Sequence, residues 1–185
     1  MNPSKSSLRD PMLARLGSLP PNDVRTHSAA VWERLAVLPA LAGADCVMAY
    51  VSTAQEIETH GLIRQLLAMG RRVCVPAFVG EYVPAEIHDF DEDLVEGKFG
   101  ILEPKSPAAV TEQPEVWLVP GLAFDVKGNR LGRGRGFFDA LLRRARGVKI
   151  ALAHDFQLLD EVPAEAYDVR VDFIVTESRV VNCKG

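Results

Sequence analysis

Apolar and polar positions along this chain follow two different periods. Behind the pair Pro20-Pro21, residues Val24, Val31, Leu35 and Leu38 recur at roughly helical spacing, so the first forty residues read as helix. Pro11 interrupts the start of that stretch. Either Asp10 caps a helix that begins at Pro11, or a helix begins near Ser7 and gives up one hydrogen bond at the proline. Further on, short β-prone runs and helical stripes take turns. Cys46–Val51 predicts a buried strand, Gly61–Met69 a helix with Leu62, Ile63, Leu66 and Leu67 on one side, and Gly70 its stop. Arg72–Phe78 predicts the next strand and Val83–Phe90 a looser edge strand, whereas the polar stretch Asp91–Thr111, with its Gly and Pro residues, predicts a loop. Val116–Val119 is a strand that stops at Pro120-Gly121. Phe137–Arg146 is a helix with Phe138, Leu141 and Leu142 on its apolar side, and Val148–Ala153 and Val171–Val175 are two more strands.

Alternation of this kind predicts an α/β fold: a single-domain, three-layer sandwich with a mostly parallel central sheet over residues 1–185. Ligands of such sheets gather beyond the carboxyl ends of the strands. That rule singles out Ser52–Thr59, Gly121–Phe138 and His154–Gln157.

Composition narrows the function classes. At 185 residues and 48% apolar, the chain can bury one proper core, and it holds no apolar run near the ~20 residues of a membrane helix. The N-terminus lacks the apolar region of a secretory signal, and Asp10 and Asp23 argue against a transit peptide. Cys46, Cys74 and Cys183 form no CxxC pair, which disfavours a disulfide framework or a zinc site and points to a reducing, cytoplasmic setting. His27, His60, His88 and His154 make no metal-ligand spacing. The net charge of −4 argues against nucleic acid as a partner, yet Arg130, Arg133, Arg135, Arg143, Arg144 and Arg146 crowd one stretch. A local basic patch on an acidic chain suits a discrete anionic ligand.

The strongest chemical signal is NRLGRGRGFFD, residues Asn129–Asp139. Gly132, Gly134 and Gly136 alternate with arginines and lead straight into a helix. Glycines let backbone N–H groups approach a phosphate, and the helix N-terminus adds free N–H groups and a favourable dipole. Arg133 and Arg135 supply bidentate donors. The stretch is neither a P-loop nor a GxGxxG fingerprint. Asp139, in the first helical turn, reads foremost as a charge favourable at that position and secondarily as a magnesium ligand beside phosphates. Glu56 and Glu58 are acidic loop residues that can accept from a ligand rich in N–H donors, and Lys5 and Arg9 share one helical face. On the residues alone, a sugar-phosphate isomerase and a nucleic-acid module remain open.

Taken together these segments resemble the 5-formyltetrahydrofolate cyclo-ligase family over nearly the whole chain. The resemblance rests on KxxLR at Lys5–Arg9, EIET at Glu56–Thr59, GILEP at Gly100–Pro104 and the specific stretch Pro120–Asp139. AxAHDFQ at Ala151–Gln157, the VPxExxD pattern ending at Asp168 and VDFIVTE at Val171–Glu177 complete it. It implies an ATP- and Mg²⁺-dependent ligase, a cytoplasmic monomer acting on a small folate, with neither nucleic acid nor membrane as partner. It further implies that Lys5, Arg9, Arg130, Leu131, Gly132, Arg133, Gly134, Arg135, Gly136, Phe137 and Phe138 hold ATP. Val51 and Glu56 would contact the folate together with the loop residues from Arg133 to Phe137, Arg133 and Arg135 would act in catalysis, and Asp139 and Asp172 would bind the metal. The family more often has Tyr-Tyr where this chain has Phe137-Phe138, so stacking survives but a hydroxyl is lost.

Overall fold

The computed structural model describes residues 4–97, 100–108, 110 and 112–184. In chain order its elements are helices α1 (Lys5–Gly17), α2 (Pro21–Ala36) and α3 (Pro39–Ala42), strand β1 (Cys46–Met48), helix α4 (His60–Ala68) and strands β2 (Arg72–Phe78) and β3 (Tyr82–Ile87). There follow a short helix α5 (Phe90–Asp93), strands β4 (Leu94–Glu96), β5 (Leu102–Pro104), β6 (Val116–Val119), β7 (Ala123–Asp125) and β8 (Arg130–Leu131), and helix α6 (Phe137–Arg144). Strand β9 (Val148–Leu152), a 3-10 turn (Asp155–Gln157), and strands β10 (Leu158–Leu159), β11 (Phe173–Val175) and β12 (Val180–Asn182) complete the chain.

Seven strands form the central sheet in the order β12-β11-β9-β6-β1-β2-β3. The five inner strands run parallel, and β12 and β3 close the edges antiparallel. Inner strands must be apolar on both faces because helices cover both. The burial of every residue of Val116–Val119 and of Ile150–Leu152 follows from that. One face packs Val31, Leu35, Leu62, Ile63 and Leu66 from α2 and α4 against the sheet. The other packs Leu141 and Leu142 of α6 with Phe124, Trp117 and Ile174. The architecture is the expected α/β sandwich with a mostly parallel sheet.

Several local expectations change. Of the two alternatives at the N-terminus the structure takes the second, a helix that runs through Pro11, and it starts at Lys5, two residues before Ser7, because Ser4 caps it, accepting from the Ser7 amide at 3.1 Å. Pro11 sits inside the helix; the missing N–H is tolerated because Met12 and Leu16 are buried beside Leu122, Leu131 and Val162. The stretch expected to be one loop from Asp91 carries α5 and the β4–β5 hairpin, although residues 98, 99, 109 and 111 of that stretch lie outside the described ones. The first strand is regular only over Cys46–Met48, although the chain stays buried through Val51.

A small second sheet, β10-β7-β8, follows β6 and positions the glycine-arginine loop. Its hairpin turns on Asp125, a fully buried carboxylate that accepts from the amides of Lys127, Asn129 and Val162 and from the Asn129 side chain at 2.8–3.1 Å. Gly128 adopts φ +83° there, and a Cβ would lie 2.4 Å from the Val171 carbonyl oxygen. That close approach ties the hairpin to the residues just before β11.

Candidate functional site

The three segments expected to carry chemistry converge beyond the carboxyl ends of the parallel strands. The first, after β1, is closed by its own hydrogen bonds. Tyr50 Oη donates to the Ile57 carbonyl at 2.9 Å, Thr59 Oγ1 donates to the Tyr50 carbonyl at 2.6 Å, and the Thr59 amide donates to Ser52 Oγ at 3.0 Å. Burial, with the nearby charges of Glu56 and Glu58, pushes the Tyr50 phenol well above its usual range and keeps it a neutral donor. The two glutamates divide their roles. Glu58 accepts from the Gly61 amide at 3.0 Å at the start of α4, a structural duty. Glu56 is held by the Thr53 amide at 2.9 Å and turns its other oxygen outward, 3.2 Å from Arg133 Nη2.

Arg133 belongs to the second segment, the loop between β8 and α6. Arg9 on α1 donates from Nε to the Gly132 carbonyl at 3.1 Å and passes close enough to Gly134 that a Cβ there would lie 3.2 Å from it. Gly134 and Gly136 take φ +93° and +69°, backbone that glycine adopts without strain. The loop crest from Arg133 to Phe137 is exposed. Phe137 stacks obliquely on Tyr82 with ring centroids 4.7 Å apart, while Phe138 packs into the core.

Arg130 anchors the loop from below. Its side chain is only 4% exposed; Nη1 donates to the Pro120 carbonyl at 3.1 Å and Nη2 pairs with Asp139 in the first turn of α6. Leu131 was expected to touch ATP. Its side chain is fully buried in the core and its carbonyl accepts from the Leu122 amide at 2.7 Å. Val51 is also buried, at the exit of β1. Lys5, one turn before Arg9, pairs with Asp168 at 2.5 Å and lies 3.5 Å from Glu165, which draws the VPxExxD segment to α1.

Asp139 and Asp172 are not brought together. Asp172 accepts from the Lys149 amide at 2.8 Å and is flanked by Lys184 Nζ at 2.9 Å and Lys149 Nζ at 3.9 Å. Lys149 is the second residue of β9, whereas the Pro120 carbonyl that shares Arg130 with Asp139 lies past the last residue of β6. Val119 pairs with Ala151, so Pro120 falls level with Leu152, three residues beyond Lys149, or roughly 10 Å along the strands. Among the described residues the two carboxylates thus have different cationic partners, Arg130 for Asp139 and Lys149 and Lys184 for Asp172. Asp172 instead fixes the start of β11 to β9.

The third segment follows β9. Gln157 Nε2 donates to the carbonyls of Gly121 and Leu122 at 2.7 and 3.1 Å, linking it to the loop after β6. His154, fully buried, bonds through Nε2 to the Gln55 carbonyl at 3.1 Å and through Nδ1 to His27 Nδ1 at 3.0 Å. Burial lowers its pKa, against a smaller opposing effect of the Gln55 carbonyl. The pairing of His27 with His154, 127 residues apart, had no signal in sequence spacing.

What this constellation is like is clear from comparison with known proteins. The family model of the 5-formyltetrahydrofolate cyclo-ligase family matches residues 1–177. A 5-formyltetrahydrofolate cyclo-ligase of Mycolicibacterium smegmatis is 35% identical over 186 residues, covering 95% of both chains. An Escherichia coli protein of the same name is 32% identical over 80% of this chain and 86% of its own. Among solved structures, the solution structure of Aquifex aeolicus 5,10-methenyltetrahydrofolate synthetase superposes with a TM-score of 0.88 at 32% identity, covering 98% of this chain and 93% of that one. A methenyltetrahydrofolate synthetase of Mycoplasma pneumoniae, 19% identical with a TM-score of 0.72, shares the fold. The family match spans the segments that the fold gathers beyond the carboxyl ends of the strands, and on the strength of that match the chain belongs to the 5-formyltetrahydrofolate cyclo-ligase family.

Proposed function

We propose that this chain, a ligase of one-carbon folate metabolism by its family, converts 5-formyltetrahydrofolate and ATP to 5,10-methenyltetrahydrofolate, ADP and phosphate. The observation that carries the reading is the contact between Arg133 and Glu56. It joins a loop built for phosphate to a carboxylate suited to the N–H edge of a reduced pterin, so one loop borders both ligands. Two buried polar atoms have no hydrogen-bond partner among the described residues, Arg130 Nε and Thr53 Oγ1, one in each half of that site.

The chemistry assigns the residues. The formyl oxygen of the substrate attacks the γ-phosphorus and ADP leaves. N10 then attacks the formyl carbon, phosphate departs with the former formyl oxygen, and N10 gives up its proton. Oxide is a poor leaving group and phosphate a good one, which is why the reaction needs ATP. Phosphoryl transfer of this kind depends on positioning and charge neutralisation. Arg133 and Arg135, on the exposed crest, stabilise the charge on the transferring group. Lys5 and Arg9 hold the triphosphate from α1, Lys5 by giving up Asp168. The backbone of Gly132, Gly134 and Gly136 admits phosphate oxygens, and Glu56 orients the folate beside Val51. Phe137 on Tyr82 offers a flat apolar wall, and Phe138 and Leu131 keep that wall and the loop in place.

Magnesium fits one of its two expected ligands. Asp139 is 32% exposed and adjoins the loop, and Mg²⁺ takes one or two carboxylates together with phosphate oxygens. When bound it supplies charge neutralisation at the phosphates. Asp172, crowded by two lysines, does not fit. We assign the chain to the cytoplasm as a monomer acting on a small molecule, with neither nucleic acid nor membrane. Among the described residues no helix is long and apolar enough to cross a membrane. Incubation with 5-formyltetrahydrofolate, ATP and Mg²⁺, monitored by the ultraviolet band of the methenyl product, tests the assignment. Equal turnover without ATP overturns it.

A further inference from the structure

His27 on α2, His154 after β9 and Glu177 after β11 converge on one point behind the Ser52–Thr59 segment, and nothing in the reaction above uses them. Their ligand atoms all lie within 4.8 Å of one another. His27 Nδ1 and His154 Nδ1 are 3.0 Å apart, and Glu177 Oε1 is 3.5 Å from His27 Nδ1. We propose that these three side chains form a binding site for one divalent transition-metal ion of the zinc class.

The geometry of each ligand supports this. His154 Nε2 faces the Gln55 carbonyl, which can only accept, so that nitrogen carries the proton and Nδ1 presents its lone pair. A ring N–H held by a backbone carbonyl is the usual second partner of a metal-binding histidine. Glu177 is held in the same manner. Its Oε2 accepts from the Asp155 amide at 2.8 Å, which leaves Oε1 directed at the imidazoles. Zinc–nitrogen bonds of about 2.0–2.1 Å in a tetrahedron place ligand atoms about 3.3 Å apart. The observed 3.0 and 3.5 Å bracket that edge at His27, while the third edge, between His154 and Glu177, is longer but within 4.8 Å, so an ion needs the Glu177 carboxylate to close on His154 by about an ångström. Without metal, His27 Nδ1–H donates to His154 Nδ1. With metal, His27 carries its proton on Nε2 and presents the Nδ1 lone pair to the ion. The His27 side chain is 26% exposed, which gives the ion a path and leaves the fourth position to water. Two imidazoles and one carboxylate suit zinc or cobalt rather than magnesium. Because His154 also holds Gln55, next to Glu56, an ion here would stiffen the segment that carries that carboxylate.

Cobalt titration of the untagged, chelator-treated protein in excess Mg²⁺ tests the site. One equivalent of Co²⁺ should give the strong visible bands of four-coordinate nitrogen and oxygen ligation, without sulfur charge transfer, and Zn²⁺ should displace it. His27→Ala and Glu177→Gln should each weaken binding about tenfold or more. Glu177→Gln keeps an acceptor for the Asp155 amide, and circular dichroism confirms that both variants fold. Asp139→Asn should bind Co²⁺ like the parent chain. Absence of Co²⁺ and Zn²⁺ binding, a sulfur charge-transfer band, or unchanged affinity in His27→Ala overturns the proposal.

Discussion

Replacing Asp139 with asparagine separates two roles that the structure superimposes on one side chain. Asp139 is the counter-charge of Arg130, whose guanidinium is almost wholly buried and whose other acceptor among the described residues is the Pro120 carbonyl. Breaking a buried ion pair from one side typically costs about 3–5 kcal/mol. Here the carboxylate is 32% exposed, and asparagine retains a neutral acceptor, so the expected loss falls to about 1–2 kcal/mol. For a chain of this length that is a fall in Tm of about 2–8 °C, measurable by calorimetry without ligands. Catalysis supplies the second readout. If Asp139 also holds the metal, the magnesium concentration for half-maximal rate at saturating ATP and folate should rise about tenfold, equivalent to about 1.4 kcal/mol. A variant whose rate titrates with Mg²⁺ like the parent, while its Tm falls, refutes the metal role and leaves Asp139 as the partner of Arg130. A variant with the parent Tm refutes the buried pair.

Asp172→Asn should leave the magnesium titration unchanged and lower Tm modestly, because its partners are Lys149 and Lys184; a shifted titration would return it to the metal site. Glu56→Gln should raise KM for the folate more than for ATP, and steady-state kinetics showing the reverse would remove Glu56 from the folate pocket. Gly134→Ala should raise KM for ATP, since φ +93° costs an alanine about 1–2 kcal/mol, and less so in an Arg9→Ala background, where the 3.2 Å neighbour is gone; equal effects in both backgrounds would show that Arg9 does not sit on the loop. The depressed pKa of His154 means that the unfolded chain takes up this proton first, so stability should fall as pH drops below about 6.5, the ordinary histidine value, and level off below the folded-state pKa. Urea unfolding between pH 8 and 5 measures it, and His154→Gln should flatten that dependence; an equally steep fall in the variant would assign it to other groups.

The order of strands and helices was legible because each inner strand is apolar on both faces and each helix carries one apolar stripe, patterns that local sequence alone imposes. The glycine-arginine loop was legible for a similar reason: its chemistry is contiguous in the chain. Where helix α1 begins was decided by the Ser4 cap and by the burial of Met12 and Leu16, which together carry Pro11 inside a helix. Strands β7, β8 and β10 are two or three residues long, too short for periodicity to mark, and they exist because the buried Asp125 gathers four donors from three places in the chain. Glu56 and Glu58 look alike two residues apart, and only the fold turns one to Arg133 and the other to its own helix. Asp139 and Asp172, paired by resemblance, fall at different levels of the sheet, and His27 and His154, unrelated by spacing, end 3.0 Å apart. Periodicity and motif report what neighbours in the chain do. Which distant side chains meet is set by strand order and register, and those are properties of the packed sheet.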